Sequence, residues 1–426
     1  MRILFLAYNH TRFAPGGAQQ MADEIAQAAE AAGHETHTIA ALERDDAAEV
    51  AAPGRALTEA AQAKGLSFFR LAAFDDDLLS GADPAAYAEL RGFIERFKPD
   101  VIHFHHVLRL GVEAIVAARL AAPRARITLG FHEMLALCAA NGLMIKPQSR
   151  AICLQAAPAD CAQCVPKRSA EFFALRAARI KAAMNVADAF VFPSMFLARL
   201  HFEWGLEARK CVLIPHGLAA PAPNFDRAGH SPQVNRFAFF GQLIDNKGVD
   251  VALFALLMLA REKRIPPMGV EFQIHGANRR YASPAYLQQV DALVCELERA
   301  SLGRIRIVDA GAYGRGELAQ RMAGADWVVV PSTWGETFAL VVSEAWMFGR
   351  PVIATAIGAL AERIRDRIDG RLFPLRDARA LAGIIASVCG DVGQWNRLAS
   401  GIAPPPTREA MFAAYLRLWT GAISSR

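Results

Sequence analysis

The stretch PSTWGETFALVVSEAWMFGRPVIAT, residues 331–355, holds two glutamates eight positions apart, Glu336 and Glu344. The apolar runs WVVVPS at 327–332 and PVIAT at 351–355 have the β-branched composition of buried strands. Between them the apolar spacing predicts a helix near 338–348. A strand, a helix and a second strand form the unit from which parallel sheets are built. This stretch therefore predicts an α/β fold.

The same alternation of strand and helix runs along the whole chain. Predicted strands in the first half are residues 2–8, 100–106, 126–132, 189–194 and 211–217, and those in the second half are 236–242, 270–276, 305–311, 327–332 and 351–355. Predicted helices lie near 18–32, 111–121, 170–184, 249–262, 284–299, 315–323 and 338–348. We therefore predict two doubly wound parallel sheets.

The length of 426 residues exceeds the roughly 250–300 at which one core stops growing, so two domains are expected. Proline, glycine and polar residues gather without periodicity near 218–235, as in a linker. We predict a first domain at 1–217 and a second at 236–404. A helix within 405–426, after a Pro-Pro-Pro stop, is expected to pack back on the first domain. Two such domains facing each other would enclose a cleft.

The composition is that of a globular protein, with 53% apolar and 21% charged residues, and it excludes a disordered chain. No uninterrupted apolar run of about 18 residues is present, and the N-terminus opens directly on a strand-like sequence. Seven cysteines, an odd number, do not indicate a disulfide framework. These features predict a cytoplasmic protein.

Charge is unevenly distributed over the first half. Residues 1–118 carry 10 basic and 17 acidic side chains, whereas residues 119–210 carry 13 basic and 6 acidic ones. The excess predicts a basic patch that either serves solubility or contacts phospholipid headgroups at the inner membrane surface or an anionic saccharide. No nucleic-acid-binding motif accompanies the charge, so nucleic acid is not an expected partner.

Glu336 and Glu344 lie where a strand's carboxyl end turns into a helix, the place at which open α/β sheets bind ligands. The free N–H groups of a first helical turn favour a phosphate. Helical rise over eight residues would separate the carboxylates by about 12 Å. This span fits a nucleotide sugar, which has hydroxyls at both ends and a diphosphate in the middle. The alternative is a helix-terminal charge or a solvated face.

A second turn with ligand-binding character is FGQLIDNKGVD, residues 240–250. Gly241 lets the backbone approach a ligand closely, and Lys247 offers an ammonium to phosphates. Gly276 and Gly311 also follow predicted strands. Several glycine-bearing turns are therefore expected to converge on one ligand.

These motifs resemble a known family. GETFALVVSEAWMFGRPVIAT resembles the E-x7-E signature of the retaining family 4 glycosyltransferases, and FGQLIDNKGVD resembles their G-x-L-x-x-x-K-G turn. Residues 187–217 are similar to the segment that closes the family's first domain, and residues 358–374 to the segment after the signature. The resemblance covers nearly the whole chain. It implies the GT-B architecture, which has two Rossmann-like domains. The second domain binds the donor and the first binds the acceptor.

The resemblance also implies roles for individual residues. Glu344 would bind the donor ribose, Lys247 the diphosphate, and Glu336 would act catalytically near the donor sugar. The donor-binding set it implies is Gly17, Gln242, Lys247, Gly276, Thr337, Phe338, Ala339, Leu340 and Glu344.

Two positions depart from the family pattern. Gln242 stands where many relatives have arginine, so Arg279 or Arg280 is expected to supply the missing charge. Ala339 stands where glycine is common, which would narrow the sugar pocket. Both departures leave the donor undetermined.

The first half contributes histidines. Strand alternation in DVIHFHH places His103 and His105 on one face and His106 on the other. By the resemblance, His105 and His106 line the acceptor cleft, and His132, followed by Glu133, is catalytic beside the reacting sugar. A metal site and a buried structural histidine are the alternatives.

Three further features of the first half allow two interpretations each. Cys138, Cys153, Cys161 and Cys164 cluster in one loop, which predicts either a zinc site or simple packing. The interleaved aromatic and basic residues of 169–184 suit either a membrane surface or a core-facing helix. FDDDLL at 74–79 is more typical of a solvated acidic loop than of a metal-chelating site.

We therefore predict a metal-independent, retaining glycosyltransferase without a cofactor. It would move a hexose-type sugar from a UDP-, GDP- or ADP-linked donor to a saccharide or lipid-linked saccharide, in lipopolysaccharide, exopolysaccharide or capsule assembly. The predicted carboxylate spacing exceeds the roughly 5–5.5 Å of retaining hydrolases. The alternatives are a GT-B protein that binds a nucleotide sugar without transferring it, and a phosphorylase or epimerase of the same fold.

Overall fold

The computed structural model describes residues 1–13, 16–43, 45–46, 50, 54–61, 63–220, 234–277 and 279–422. The chain divides into two compact units. The first comprises Met1–Ala219 with Pro406–Arg426, and the second comprises Ala220–Pro405. Residues 221–233, most of the predicted linker, lie outside the described residues.

The first unit is built on an eight-stranded sheet with the order β3-β4-β2-β1-β5-β6-β7-β8. Neighbouring strands are parallel except the short edge strand β3, which is antiparallel to β4. Strand order reverses between β1 and β5, which is the switch point of a doubly wound sheet. The strands are β1 (Arg2–Tyr8), β2 (Glu35–Ala41), β3 (Leu57–Glu59), β4 (Leu66–Phe69), β5 (Val101–Phe104), β6 (Arg126–Gly130), β7 (Ala189–Phe192) and β8 (Cys211–Leu213).

Helices of the first unit begin where the sequence supplies side-chain caps. Asp83, Ser169 and Ser194 each accept a hydrogen bond from the backbone N–H three residues later, which satisfies a donor at the helix start. The helices are α1 (Gly17–Ala31), α2 (Pro84–Phe97), α3 (Glu113–Ala121), α4 (Pro158–Cys164), α5 (Ala170–Met184) and α6 (Met195–Trp204).

The C-terminal helix, Arg408–Trp419, belongs to the first unit and packs against α1. Arg408 lies 3.5 Å from the buried Glu24 carboxylate. Leu218 pairs with Thr407 in an isolated parallel bridge, and Gly217 is so close that a Cβ there would lie 2.1 Å from the Thr407 carbonyl oxygen. The end of the chain is therefore anchored beside residues that precede the linker.

The second unit is built on a six-stranded parallel sheet with the order β11-β10-β9-β12-β13-β14. In chain order this is 3-2-1-4-5-6, the arrangement of dinucleotide-binding folds, and it reverses between β9 and β12. Ligands of such sheets bind outside the carboxyl ends of the strands at this point. The strands are β9 (Arg236–Gln242), β10 (Val270–Ala277), β11 (Ile305–Asp309), β12 (Trp327–Val330), β13 (Val352–Thr355) and β14 (Gly370–Phe373).

Helices cover both faces of this sheet. Along β9, Phe237 and Phe239 join one apolar cluster, whereas Ala238 and Phe240 join the other, because alternate side chains point to opposite faces. The helices are α7 (Val249–Arg261), α8 (Pro284–Ser301), α9 (Leu318–Ala323), α10 (Leu340–Met347), α11 (Gly358–Arg363), α12 (Ala378–Val388) and α13 (Val392–Gly401), and the C-terminal helix is α14.

The predicted pair of doubly wound parallel sheets is confirmed. One helix is shorter than expected, since the element predicted near 338–348 begins only at Leu340. Among the residues that the structure describes, no helix combines the length and apolar character needed to cross a bilayer.

Candidate functional site

Two loops meet at the switch point of the second unit, one after β9 and one after β12. The backbone N–H of Thr333 donates to the Asn246 carbonyl at 2.9 Å. Gly248 has φ +72°, and a Cβ on it would lie 2.0 Å from the Pro331 carbonyl oxygen. Only glycine permits this approach, so the sequence KG holds the lysine-bearing turn against the glutamate-bearing loop.

Glu336 is the centre of this loop pair and is 4% exposed. Its Oε1 accepts three hydrogen bonds, from Lys247 Nζ at 2.7 Å, Ser332 Oγ at 2.7 Å and Trp334 Nε1 at 2.9 Å. Burial raises the pKa of this carboxyl, but the Lys247 charge and the three donors outweigh it and bring the pKa below its usual value. Glu336 is therefore ionised at neutral pH.

Lys247 closes the short 3-10 turn Asp245–Lys247 and is partly exposed. Its ammonium carries three N–H donors, of which Glu336 takes one. It also lies 5.4 Å from the centre of the Trp334 ring, within cation–π range. Glu336 and Trp334 thus fix the direction in which Lys247 presents its charge.

The start of α10 has an unusual backbone. Ala339 is left-handed, with φ 62° and ψ 80°. Arg363 binds this turn by donating to the carbonyls of Phe338 at 2.7 Å and Ala339 at 2.8 Å, and its guanidinium lies 3.8 Å from the Phe338 ring centre. Burial lowers the pKa of Arg363 to about 9, which leaves it charged at neutral pH. Arg363 therefore holds the strained turn in place.

The left-handed alanine predicts a stabilising substitution. Ala339→Gly should raise the free energy of unfolding of the second unit by about 1 kcal/mol, because a Cβ in this conformation costs roughly 1–2 kcal/mol. Urea unfolding with hydrogen exchange of α10 peptides measures the change. Ala345→Gly, at a right-handed position in the same helix, is the matched control and should destabilise. If Ala339→Gly lowered the free energy of unfolding, the claim that Ala339 is strained would be contradicted.

Gly358, at the start of α11, packs against the backbone of the loop that carries Glu336. It has φ +56°, and a Cβ would lie 2.9 Å from the backbone nitrogen of Glu336 and 2.8 Å from its carbonyl oxygen. The N–H of Ala359 donates to that carbonyl at 2.9 Å. The segment after the signature is therefore part of the site's framework.

Glu344 lies in α10 and is partly buried. Burial raises its pKa to about 7, opposed only in part by the Arg315 charge. Tyr313 lies near enough for burial and the Glu344 charge to raise its own pKa. Tyr313 meets the edge of Phe240 at 5.7 Å, and Phe240 stacks on His275 at 4.4 Å. A carboxyl that titrates near neutrality thus borders an aromatic cluster at the strand ends.

The remaining predicted donor residues lie at the carboxyl edge of the same sheet. Gln242 ends β9, and Gly276 pairs in register with Gly241. A Cβ on Gly276 would lie 2.8 Å from Leu243 Cγ and 2.9 Å from the Gly241 carbonyl oxygen, so this glycine is also required by packing. Thr337 and Phe338 are buried in the loop before α10, and Leu340 is the first residue of that helix.

One expectation about this region needs correction. The helical rise used to separate Glu336 from Glu344 applies only from Leu340 onward, because Ala339 breaks the helix, so the 12 Å estimate does not hold. Arg279, one of the two candidates for the charge that Gln242 lacks, forms ion pairs with Asp309 at 3.2 Å and Asp291 at 3.8 Å. The side chain of Arg280 lies outside the described residues.

In the first unit, three histidines line up beyond the carboxyl ends of β5, β6 and β8. His132 Nε2 is 3.4 Å from His105 Nδ1, and His132 Nδ1 is 3.3 Å from His216 Nε2. The rings are stacked, with centres 5.6 Å and 5.1 Å apart. His132 is thus held by a histidine on each side.

His103 and His106 have other surroundings. His103 is completely buried, bonds the Thr128 hydroxyl at 2.8 Å and lies 5.1 Å from the Tyr415 ring, which gives it a structural role under α14. His106 Nδ1 accepts from the N–H of Leu108, and its Nε2 lies 3.5 Å from Glu133. His106 therefore pairs with Glu133 and not with the stack.

Burial sets the protonation of this cluster. It lowers the pKa of His103 and His106 to about 3, that of His132 to about 4, and that of His105 well below its usual value. It raises the pKa of Glu133 to about 7, against a backbone hydrogen bond and the Arg176 charge. These four imidazoles are neutral at physiological pH, so they can accept or relay a proton but carry no charge to an anion.

Gly17 is the first residue of α1, the helix that comes after β1 and the residues 9–16 that follow it. Gly16 precedes it in extended conformation, and no side chain caps the helix among the described residues. Gln19 ties the helix to the strand by donating to the Tyr8 carbonyl at 2.9 Å. The N–H groups of this first turn therefore face the carboxyl edge of the sheet.

The acidic run at 74–79 is partly solvated, with the Asp76 side chain 65% exposed, and it also forms ion pairs. Asp76 pairs with Arg109 at 3.1 Å, and Asp77 pairs with Arg168 at 2.9 Å. The run belongs to an ion-pair network of the first unit.

Sequence reasoning missed four residues of these two sites: Ser332, Trp334, Arg363 and His216. Ser332 and Trp334 lie four and two residues before Glu336 in the opening stretch, and His216 lies at the end of a predicted strand as His132 does. Arg363 lies in the segment 358–374 and gave no local signal, because its partners are 20 to 25 residues away.

Two family models match the chain in succession. One described as "Glycosyltransferase Family 4" matches residues 15–220, and one described as "Glycosyl transferases group 1" matches residues 234–391. The chain is 30% identical over 213 residues to D-inositol 3-phosphate glycosyltransferase of Jonesia denitrificans, which covers 47% of this chain and 48% of that protein. The chain spans about half the length of the curated relatives it matches.

Solved structures match over the whole chain. Anabaena HepE in complex with UDP and glucose superimposes with a TM-score of 0.65 at 17% identity, covering 99% of this chain and all of that one. Sucrose-phosphate synthase from Thermosynechococcus elongatus superimposes with a TM-score of 0.66 at 19% identity, and the match covers all of both chains. Such likeness establishes the fold. The two family models, which together match residues 15–220 and 234–391, place the chain in the family 4 glycosyltransferases, and the solved structures give its fold as GT-B.

Proposed function

We propose that the protein transfers a hexose-type sugar from a nucleotide diphosphate sugar to an acceptor hydroxyl, with retention of anomeric configuration. The observation that carries this proposal is the Lys247–Glu336 ion pair, braced by Ser332 and Trp334 at the switch point of the second sheet. It supplies a directed cation where such sheets bind phosphates.

The leaving nucleoside diphosphate is stabilised without a divalent ion. Two ammonium protons of Lys247 remain for diphosphate oxygens, and the first-turn N–H groups of α10 add the partial positive charge of a helix N-terminus. Because this arrangement is fixed by the Glu336 bond and by Arg363, little reorganisation is needed as negative charge develops. Glu336 acts near the donor sugar and keeps Lys247 oriented.

Glu344 binds the donor by accepting hydrogen bonds from the ribose hydroxyls. This role requires the ionised carboxylate. Gln242, Gly276 and the amides of residues 337–340 complete the donor set in the second unit, and Gly17 completes it in the first. Tyr313, which is partly exposed near Glu344 and packs on the buried Phe240, offers apolar surface for the nucleoside. HepE was solved with UDP and glucose, which makes a UDP-linked hexose the first donor to test.

The first unit binds the acceptor. His132, neutral and held between His105 and His216, positions the acceptor hydroxyl, and His106 contributes from the opposite face. We assign the acceptor to cell-surface glycan assembly, as a saccharide or lipid-linked saccharide. The relatives' activity on an inositol phosphate makes a phosphorylated polyol the small-molecule control.

Contact with the inner membrane surface is part of the proposal. Leu120 on α3 and Leu175 on α5 are 62% and 71% exposed, on helices that pack together. Residues 119–210 carry the basic excess that suits anionic headgroups. Sedimentation with anionic and with neutral vesicles tests this contact.

Donor binding should depend on pH through Glu344. With a pKa of about 7, the carboxyl is about 10% ionised at pH 6 and about 90% at pH 8, so donor affinity should rise about tenfold over that interval. Glu344→Gln should remove the rise and weaken binding at pH 8 by about 10–100-fold, as expected for lost hydrogen bonds to a charged group.

Isothermal titration of a donor panel at pH 6, 7 and 8, with and without EDTA, measures this effect. Glu296→Gln, an exposed glutamate of α8 outside the site, is the matched control and should leave the pH profile unchanged. Binding that is independent of pH in the wild type, or equally pH-dependent in Glu344→Gln, would contradict the role given to Glu344.

A further inference from the structure

Four of the seven cysteines come together in one loop of the first unit. Cys138, Cys153, Cys161 and Cys164 all line the same pocket. Each of the four thiols is within electrostatic range of the other three. All four are partly buried and none is in a disulfide. The loop therefore concentrates soft ligands at one point.

Three separate local structures deliver these cysteines. Cys138 ends a turn in which its N–H donates to the Met134 carbonyl at 2.8 Å. A small hairpin closed by an Ile145–Ile152 bridge positions Cys153, whose N–H donates to the Met144 carbonyl at 2.7 Å. Cys161 and Cys164 lie three residues apart on α4, and so on one face of that helix.

The segment has no apolar core of its own. From Lys146 to Ala170, a run of 25 residues, no residue is fully buried, and α4 buries none of its side chains. Its order comes from α4, the Ile145–Ile152 bridge and backbone hydrogen bonds. A metal cross-link between its cysteines would add stability that side-chain burial does not supply here.

We propose that these four cysteines bind a structural zinc ion, in an all-thiolate site that staples the loop 138–164. Zinc bound by four thiolates is tetrahedral, with Zn–S bonds of about 2.3 Å, and such sites contribute directly to folding. The inference is independent of the sugar-transfer chemistry, since the loop's cysteines take no part in the donor or acceptor sets assigned above.

The surroundings suit the charge of such a site. Four thiolates and Zn²⁺ carry a net charge of about −2. Arg176, which is 3% exposed, interacts electrostatically with Cys138 and Cys161, and Lys146 interacts with Cys153 and Cys164. Arg176 also donates to the carbonyls of Leu135 and Ala136, so it fixes the backbone just before Cys138. Lys146 also pairs at 3.5 Å with Asp160, an acidic side chain that lines the same pocket, so the two cations offset only part of that charge.

Binding requires the thiols to turn inward. Within the described residues, no three His, Cys, Asp or Glu side chains already stand at metal-binding spacing. Cys138 Sγ lies 3.5 Å from the Ala140 carbonyl oxygen and Cys153 Sγ lies 3.2 Å from that of Gln155, weak bonds that metal coordination would replace. The thiols become thiolates as protons are displaced by the ion.

The test is metal analysis of the full chain purified under reducing conditions from zinc-supplemented cells. We expect about one zinc per chain by plasma mass spectrometry, released when a mercurial blocks the thiols. The double variant Cys161→Ser/Cys164→Ser should lose the zinc. Cys211→Ser/Cys389→Ser, two cysteines of comparable burial outside the loop, is the matched control and should keep it.

A second measurement, made on the wild type, tests the proposal even if the double variant does not fold. Wild type stripped of metal should take up Co²⁺ and show the intense visible absorption of tetrahedral cobalt thiolate, and protease should cut the stripped chain within 146–170 but spare the loaded chain. Folded wild type that holds less than about a tenth of an equivalent of zinc and gives no cobalt spectrum would overturn the proposal. Iron with acid-labile sulfide, or two disulfides, would also overturn it.

Discussion

Lys247→Ala should lower kcat for sugar transfer by about 10²–10³-fold, the loss typical of removing one preorganised charge stabiliser from a transition state. The variant removes the cation directed at the leaving diphosphate and also leaves Glu336 buried without its partner. The pKa of the buried carboxyl then rises, because burial is opposed only by the hydrogen bonds from Ser332 and Trp334 once the Lys247 charge is gone. Steady-state turnover at saturating donor measures the effect.

A double-mutant cycle separates charge stabilisation from folding. Glu336→Gln alone leaves the ammonium without its carboxylate, whereas Lys247→Ala/Glu336→Gln leaves no buried charge. The double variant should recover most of the stability lost in Lys247→Ala, yet stay as inactive. Lys263→Ala, at an exposed lysine of the same unit, is the matched control. If Lys247→Ala kept turnover within about threefold of wild type while folded, the role given to Lys247 would be refuted.

Acid should unfold the first unit through its histidines. The pKa values of His103, His106 and His132 lie at about 3 to 4 in the folded state, below the 6.5 of an exposed histidine. Between these limits the unfolded chain binds more protons, so stability is full above pH 6.5 and is lost as pH falls. At about 1.36 kcal/mol per unit of pKa shift, the loss by pH 5 should reach several kcal/mol.

Glu133 contributes with the opposite sign. Its folded pKa of about 7 exceeds the ordinary 4.5, so it stabilises the fold in acid and loses that stabilisation as pH rises through 7. One carboxyl cannot offset several imidazoles below pH 6. The net expectation is still acid sensitivity of the first unit.

Hydrogen exchange of β5 and β6 peptides between pH 7 and 5, corrected for intrinsic rates, measures this loss in the first unit alone. His103→Gln, which can keep a hydrogen bond to Thr128, should reduce the proton uptake on unfolding by about one. His10→Gln, outside the cluster, is the matched control. If the stability of His103→Gln depended on pH as steeply as that of the wild type, His103 would not be a source of the acid sensitivity.

Much of the fold follows from local pattern. β1, β9 and α5 begin and end at the predicted residues, since each is an unbroken apolar or amphipathic run with clear boundaries. β2 was missed because its first residues, Glu35 to His37, are polar. β14 was missed because it is four residues long and begins with glycine and arginine. Short edge elements depend on their neighbours more than on their own sequence.

The candidate site could be predicted only in part, for a physical reason. Glu336, Glu344 and Lys247 lie in motifs whose spacing is visible in the sequence. The ion pair that joins Lys247 to Glu336 spans 89 residues, and the His132–His216 contact spans 84. Such contacts are created by the order of the strands. The Lys247–Glu336 ion pair and the histidine stack are therefore visible only in the three-dimensional structure.

Donor cleavage by the full chain tests the central claim most directly. The chain would be incubated with UDP-, GDP- and ADP-sugars and with lipid-linked saccharide or inositol phosphate acceptors, in EDTA, and nucleoside diphosphate release and product anomer would be followed by NMR. We predict release from one donor, a product that keeps the donor's anomeric configuration, and loss of both in Lys247→Ala. A folded chain that binds a donor but never cleaves it, or that cleaves only with inorganic phosphate, would contradict transferase function.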